Sequence, residues 1–210
     1  MKLFKKIQAW LIEHNSYRYD CCVKDKKLRL FSNIKDNSIV VEIGAGTGVN
    51  IKYYPKNISY IAIEPNEFMY PYLLNKIDDL KTKLIIKALA ENMPIKDNTA
   101  DFFVCTLTLC SINSVEMVLQ ETMSILKPEG KFLFLEHVAA PKGTTLRFIQ
   151  KMAKPICKLI DGGCDPEKET LKVISQYFDV ESEDFKVPRL LIASPHIIGW
   201  ANPKKRILYH

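Results

Sequence analysis

Apolar residues along the 210-residue chain fall into runs of two alternating kinds. Short blocks rich in β-branched and aromatic residues have the length and composition of strands: Ile39–Ile43, Tyr60–Ile63, Lys83–Lys87, Asp101–Leu107 and Lys131–Leu135. Between them, helices are predicted over about Val49–Tyr54, stopped by Pro55, and from Glu67 to about Leu80 after Pro65-Asn66. Another runs over Val115–Leu126, capped by Ser114 and ended by Lys127-Pro128-Glu129-Gly130, and a long amphipathic one over Thr144–Ile160. Asp161-Gly162-Gly163-Cys164-Asp165 then predicts a turn, with Pro166 at the first position of a further helix. Phe178–Ala201 supplies two more strands, the last opened by Pro195-His196. At the N-terminus Leu3, Phe4, Ile7, Trp10 and Leu11 share one face of a helix over Met1–Asn15, with Lys2, Lys5 and Lys6 beside it, and Ser16–Asn33 continues as helix. Strands alternating with helices, followed by a strand pair, predict an α/β fold with a doubly wound sheet, in a single domain over 1–210.

The stretch Ser38–Asn50, S-I-V-V-E-I-G-A-G-T-G-V-N, is a buried strand that breaks at Gly44, Gly46 and Gly48. Glycine there lets the backbone turn with φ > 0 and lets a nucleotide-like ligand approach with no Cβ in the way. Dinucleotide sites use G-x-G-x-x-G and place a diphosphate on bare N–H groups. Here the spacing is G-x-G-x-G and Glu42 precedes the turn, which suits a ligand carrying a cationic amino group. Glu64 ends the second strand, ~20 residues past the turn, where an acid can accept both hydroxyls of a ribose. The polar corner Ala90-Glu91-Asn92-Met93-Pro94 follows the third strand, where an adenine edge would lie, and Thr106–Ser111 leaves the fourth. The fifth strand ends in the ionisable pair Glu136-His137.

A net charge of +6, with Lys and Arg scattered rather than clustered, carries no nucleic-acid footprint. The six cysteines show no C-x-x-C and no histidine-rich spacing, so no metal site is expected and the thiols are expected to be reduced. No apolar run reaches the ~18 residues of a membrane span, which predicts a cytoplasmic protein. The segment 1–33 is expected to be either a helical lid over the ligand pocket or a peripheral membrane-surface helix with its lysines on anionic headgroups.

With its acidic residue followed by G-x-G-x-G, the chain resembles the class I S-adenosylmethionine (SAM) methyltransferases. C-T-L-T-L-C-S at 105–111, L-K-P-E-G at 126–130, E-H-V-A-A at 136–140, D-G-G-C at 161–164 and P-H-I-I-G at 195–199 look like the small thiol S-methyltransferases, the methyltransferase-like family seven. The resemblance implies a seven-stranded, mostly parallel sheet with the last strand antiparallel, and SAM-dependent methylation of a small thiol, with S-adenosylhomocysteine as product; the chain itself is expected to be a monomer. By position, Glu42, Gly44, Ala45, Gly46, Gly48, Glu64, Pro65, Asn66, Ala90, Glu91, Asn92, Thr106 and Leu107 would hold SAM. Cys110, His137, Asp161 and Cys164 would face the acceptor. Methyl transfer to sulfur asks chiefly for alignment and for a thiolate, so His137 is the candidate base, its alternative being a packed histidine, and Asp161 would orient it or act as base itself. Cys110 and Cys164 read as small wall residues rather than methyl carriers. The alternatives are a phospholipid or quinone methyltransferase and a SAM-binding interaction protein without turnover.

Overall fold

The computed structural model describes residues 2–160 and 163–204. Its strands are β1 (Ile39–Ile43), β2 (Ser59–Ile63), β3 (Thr82–Ile86), β4 (Ala100–Thr106), β5 (Leu126–His137), β6 (Phe178–Lys186) and β7 (Pro195–Pro203). They form one seven-stranded sheet in the order β3-β2-β1-β4-β5-β7-β6. β1 pairs parallel with β2 and β4, and β7 runs antiparallel between β5 and β6. The α/β expectation therefore holds, including the antiparallel last strand.

Alternation along each buried strand sends successive side chains to two different cores. Val41, Ile43, Phe103, Phe132 and Phe134 pack on one face against α3 (Val115–Ile125) and α5 (Thr170–Tyr177). Val40, Tyr60, Val104, Leu133 and Leu135 pack on the other against α1 (Lys2–Phe31) and α2 (Tyr70–Ile77). α1 is one continuous helix of 30 residues. Its second half is rooted: Val23, Leu30 and Phe31 join the core, and the Lys27 ammonium donates to buried Asp20 at 2.8 Å. Asp20 also accepts from the Tyr53 hydroxyl at 2.7 Å and pairs with Lys52. In the first half, Leu3, Ile7 and Trp10 stay exposed, while Phe4 and Leu11 line a cleft.

Three expectations are corrected. The helix expected over Val49–Tyr54 is one 3-10 turn, Ile51–Tyr53, because Pro55 leaves no room for a further turn. Lys127–Gly130 does not separate helix from strand but lies within β5, where the register against β4 shifts between Ala100 and Phe102. Pro166 does not open a helix: the Asp165 carboxylate accepts from the Glu167 N–H at 3.0 Å, which holds a turn there, and α5 begins only at Thr170.

α4 (Thr145–Ile160) turns Phe148, Met152, Ile156 and Leu159 to solvent and is fastened by a polar side chain. Buried Gln150 accepts from the Ala140 N–H at 2.8 Å and donates to the carbonyls of Ile192 at 2.9 Å and Val138 at 3.3 Å. No described helix is long and apolar enough to cross a membrane.

Candidate active site

The carboxyl ends of β1, β2, β4 and β5 open into a cleft of about 1240 Å³. That exceeds the ~300–1,000 Å³ of a typical small-molecule site, so a cofactor and a second molecule fit together. Its centre is the glycine turn. Gly44 has φ +60°, and a Cβ there would lie 2.2 Å from the Thr108 hydroxyl oxygen; Gly46 has φ +54°, with nothing nearer than 3.8 Å to its missing Cβ. Gly44 is thus needed by close packing, and Gly46 by backbone shape and open approach.

Glu64 closes the turn from the β2 end. Its carboxylate accepts from the Gly46 N–H at 2.9 Å and the Asn66 N–H at 2.8 Å. Burial pushes its pKa up, while those two donors pull it back. Asn66 accepts from Phe68 N–H at 3.2 Å and donates to the Lys5 carbonyl at 3.1 Å, pinning the first half of α1 over the cleft. The Lys76 ammonium on α2 pairs with Glu13 of α1 at 2.6 Å and adds a second tie. Ala45, Pro65, Ala90, Glu91, Thr106 and Leu107 line the cleft as expected, whereas Asn92 is exposed and outside the lining, and Gly48 is also outside it, packed against Leu73 of α2.

Glu42 stands behind the turn rather than in the cleft. Wholly buried, it accepts from Asn50 Nδ2 at 2.6 Å and from the hydroxyls of Tyr60 at 2.7 Å and Tyr54 at 3.0 Å. Burial raises its carboxyl above the usual range against the pull of those donors. Asn50, which also donates to Thr106 Oγ1 at 2.9 Å, is the residue of this network that reaches the cleft.

At the far end, Glu136 is likewise buried. One of its oxygens gathers the exit of β4, accepting from Thr108 N–H at 3.0 Å, Leu109 N–H at 3.2 Å and the Cys105 thiol at 3.2 Å. Desolvation raises its pKa. Beside it, His137 Nε2 lies 3.0 Å from Cys164 Sγ, and Cys110 completes a buried trio. A hydrogen bond with Cys164, and then burial, push the Cys110 thiol well up, so it is a neutral thiol. The expected acceptor-side residues Cys110, His137 and Cys164 are thus brought together; Asp161 lies outside the described residues.

A model of the methyltransferase domain family matches residues 41–134. The thiol S-methyltransferase TMT1B of Rattus norvegicus is 36% identical over 192 residues, covering 85% of this chain and 79% of that protein. The chain belongs to the SAM-dependent methyltransferase family. TMT1A of Homo sapiens, also a thiol S-methyltransferase, is 32% identical over 196 residues, covering 87% and 80%. Among solved structures, the N-methyltransferase NodS of Bradyrhizobium japonicum in complex with S-adenosylhomocysteine superposes with a TM-score of 0.68 at 10% identity, covering 93% and 92%.

The methyltransferase cleft also contains residues that the sequence reading did not single out. His196, on β7 directly across from His137, donates from Nδ1 to the Ser194 carbonyl at 3.0 Å, which leaves Nε2 as a lone pair. Burial lowers its pKa to about 4, so it is neutral. Its ring stacks on Tyr19 of α1 with centroids 5.7 Å apart. Among the described residues, neither the Tyr19 hydroxyl nor His196 Nε2 has a hydrogen-bond partner, and both residues line the cleft.

Proposed function

We propose that this methyltransferase methylates a small thiol and holds SAM on the glycine turn. The cofactor supplies a methyl group on a sulfonium. The fit rests on this chain's own atoms: open space at Gly46, and carboxylate lone pairs left on Glu64 after its two backbone bonds. In this reading Gly44–Thr47, Glu64, Pro65 and Asn66 bind the amino-acid and ribose parts, Ala90 and Glu91 border the base, and Thr106 and Leu107 lie beneath. Glu42 acts from behind, by fixing Asn50.

The observation that carries the thiol reading is the buried, sulfur-bearing cluster of Cys110, His137 and Cys164 at the end of the cleft, with Cys110 and His137 lining it. A soft, buried wall with a histidine suits an acceptor that must be desolvated and lose a proton at sulfur. The names of the relatives agree with it. A free thiol has a pKa near ~8.5, so His137 promotes ionisation near neutrality. In His137→Ala, turnover of an alkyl thiol falls roughly 100-fold near neutral pH with SAM affinity kept, and raising the pH recovers part of it. Methylation of phenols, quinols or amines in preference to any thiol would overturn the reading.

The exposed apolar residues favour a second reading for location. Leu3, Ile7 and Trp10 of α1, flanked by exposed Lys2, Lys5 and Lys6, and the outer stripe of α4 suit an anionic lipid surface. Flotation with anionic vesicles that Leu3→Ser/Trp10→Ser abolishes is the expected result; no flotation by the unaltered chain leaves α1 as a lid alone.

A further inference from the structure

We propose that Cys110, His137 and Cys164 form a site for a thiophilic divalent ion, best matched by zinc, with an open fourth position that takes the sulfur of the acceptor. The fourth-ligand part rests on the thiol reading above; the three-ligand site does not. Among the described residues, this is one group of ligand-type side chains that are all buried, with ligand atoms all within 4.8 Å of one another. Tetrahedral zinc, with bonds of ~2.3 Å to sulfur and ~2.0–2.1 Å to nitrogen, sets its ligand atoms about 3.6–3.8 Å apart. The trio spans that spacing: His137 Nε2 and Cys164 Sγ are 3.0 Å apart, and no two of the three ligand atoms are more than 4.8 Å apart.

Three elements hold the trio in advance of any ion. Cys110 sits on the 3-10 turn Leu109–Ser111 after β4, His137 at the end of β5, and Cys164 in the loop after α4. The Asp165 N–H donates to the Cys110 carbonyl at 3.0 Å, locking the two cysteine segments together. Lys168 Nζ donates to the Leu109 carbonyl at 2.8 Å and stiffens the same turn. The neighbouring carboxylate, Glu136, binds the β4 exit through one oxygen. Two thiolates and a neutral imidazole cancel the charge of a divalent ion, so the loaded site is electrically neutral and tolerates burial.

Three protein ligands with one open position are the pattern of a catalytic rather than a structural zinc. Cys110 and His137 both line the cleft and Cys164 does not, so the open position faces the acceptor. Loading releases both cysteine protons to solvent. When R–SH enters, a sulfur lone pair forms the sulfur–metal bond, the S–H bond breaks, and the proton leaves to water; nothing is oxidised or reduced. A remaining sulfur pair then bonds the methyl carbon as the carbon–sulfonium bond breaks, its electrons staying on the departing thioether. The methylated product is a weaker ligand and dissociates. His137 thereby acts through the metal, and the acceptor is ionised below its own pKa.

The test uses the full chain purified from zinc-supplemented cells without chelator. Elemental analysis should give about one zinc per chain. Replacement by cobalt(II) should give a near-ultraviolet sulfur-to-cobalt charge-transfer band, which strengthens when an alkyl thiol is added without SAM. Cys110→Ser/Cys164→Ser should lose the metal, weakening binding by at least the ~10–100-fold that loss of an outer-shell partner costs, while the exposed-site control Cys21→Ser keeps it. Calorimetry with S-adenosylhomocysteine checks that the variants fold, and the cobalt spectrum of the unaltered chain is independent of them. No bound metal, or metal kept by the double variant without a sulfur band, overturns the site. Equal thiol methylation by metal-free enzyme overturns the fourth-ligand assignment while sparing the thiol reading. Metal held by the trio with no thiol methylated upholds the three-ligand site and overturns both the fourth-ligand assignment and the thiol reading.

Discussion

Replacing Glu64 by alanine separates the cost to the turn from the cost to the ligand. The carboxylate now accepts from Gly46 N–H at 2.9 Å and Asn66 N–H at 2.8 Å. Both donors border the cleft, so water can replace the lost oxygens, and the fold should lose only about 1 kcal/mol. The ligand loses more. Charge-assisted bonds to ribose hydroxyls are worth about 1.5–3 kcal/mol each, and with partial compensation by water the net loss is about 2–3 kcal/mol, or roughly 30- to 150-fold in SAM affinity. The pH dependence has a definite sign. Burial raises the Glu64 carboxyl, so acid protonates it before an ordinary glutamate and takes away the anionic acceptor. Affinity in the unaltered enzyme should therefore fall as pH drops through that raised value, and Glu64→Gln should be both weaker and flatter across the same range. Calorimetry with S-adenosylhomocysteine, alongside melting curves, reads both quantities. A variant of unchanged melting temperature that binds within ~3-fold of the unaltered enzyme would refute the role assigned to Glu64.

Gly44→Ala should cost about 2–4 kcal/mol, from the left-handed φ and the 2.2 Å clash with Thr108. Thr108→Ala would leave a Cβ 2.9 Å away, so the informative partner is Thr108→Gly, and in the double variant at least about 1 kcal/mol should return. Strict additivity in chemical denaturation would remove the clash from the explanation. Glu136→Gln tests the buried carboxylate at the β4 exit. Because folding raises the pKa of Glu136, its stabilising share is present below the unfolded value of ~4.3 and is lost as pH rises through the folded value. The melting temperature of the glutamine variant relative to the unaltered chain should thus climb as pH rises above about 4.3, and a constant offset there would show that folding does not raise the Glu136 pKa.

The glycine turn and Glu64 were legible because strand, break and acid are local: their meaning is carried within a few positions of the backbone. Ser114 was legible for the same reason, and it caps α3 by accepting from Met117 N–H at 3.3 Å. Glu42 was placed correctly on its strand but not in its role, since the tyrosines that enclose it arrive from Tyr54 and from β2. His196 and Tyr19 gave no local signal, for one comes from β7 and the other from α1, and only the sheet order brings them together. The cysteine spacing excluded a metal motif in sequence, yet Cys110 and Cys164 meet His137 through three separate segments, a proximity no short pattern encodes. Pro166 misled because an Asx turn at Asp165 competes with helix initiation.

The antiparallel insertion of β7 also sets an order in time. The glycine turn is built from β1, β2 and β4, all of which lie before residue 107, while His137 meets its neighbour His196 only after β7 has entered between β5 and β6. Distant pairings close late, because their loops must be ordered first. As the chain leaves the ribosome, the glycine turn can therefore consolidate while the wall around His137 and His196 is still unfinished. In pulse-labelled hydrogen exchange during refolding, β1 and β4 should be protected before β7. Maturation would run from the glycine turn to the His137–His196 wall, the same sequence in which the two are written in the chain.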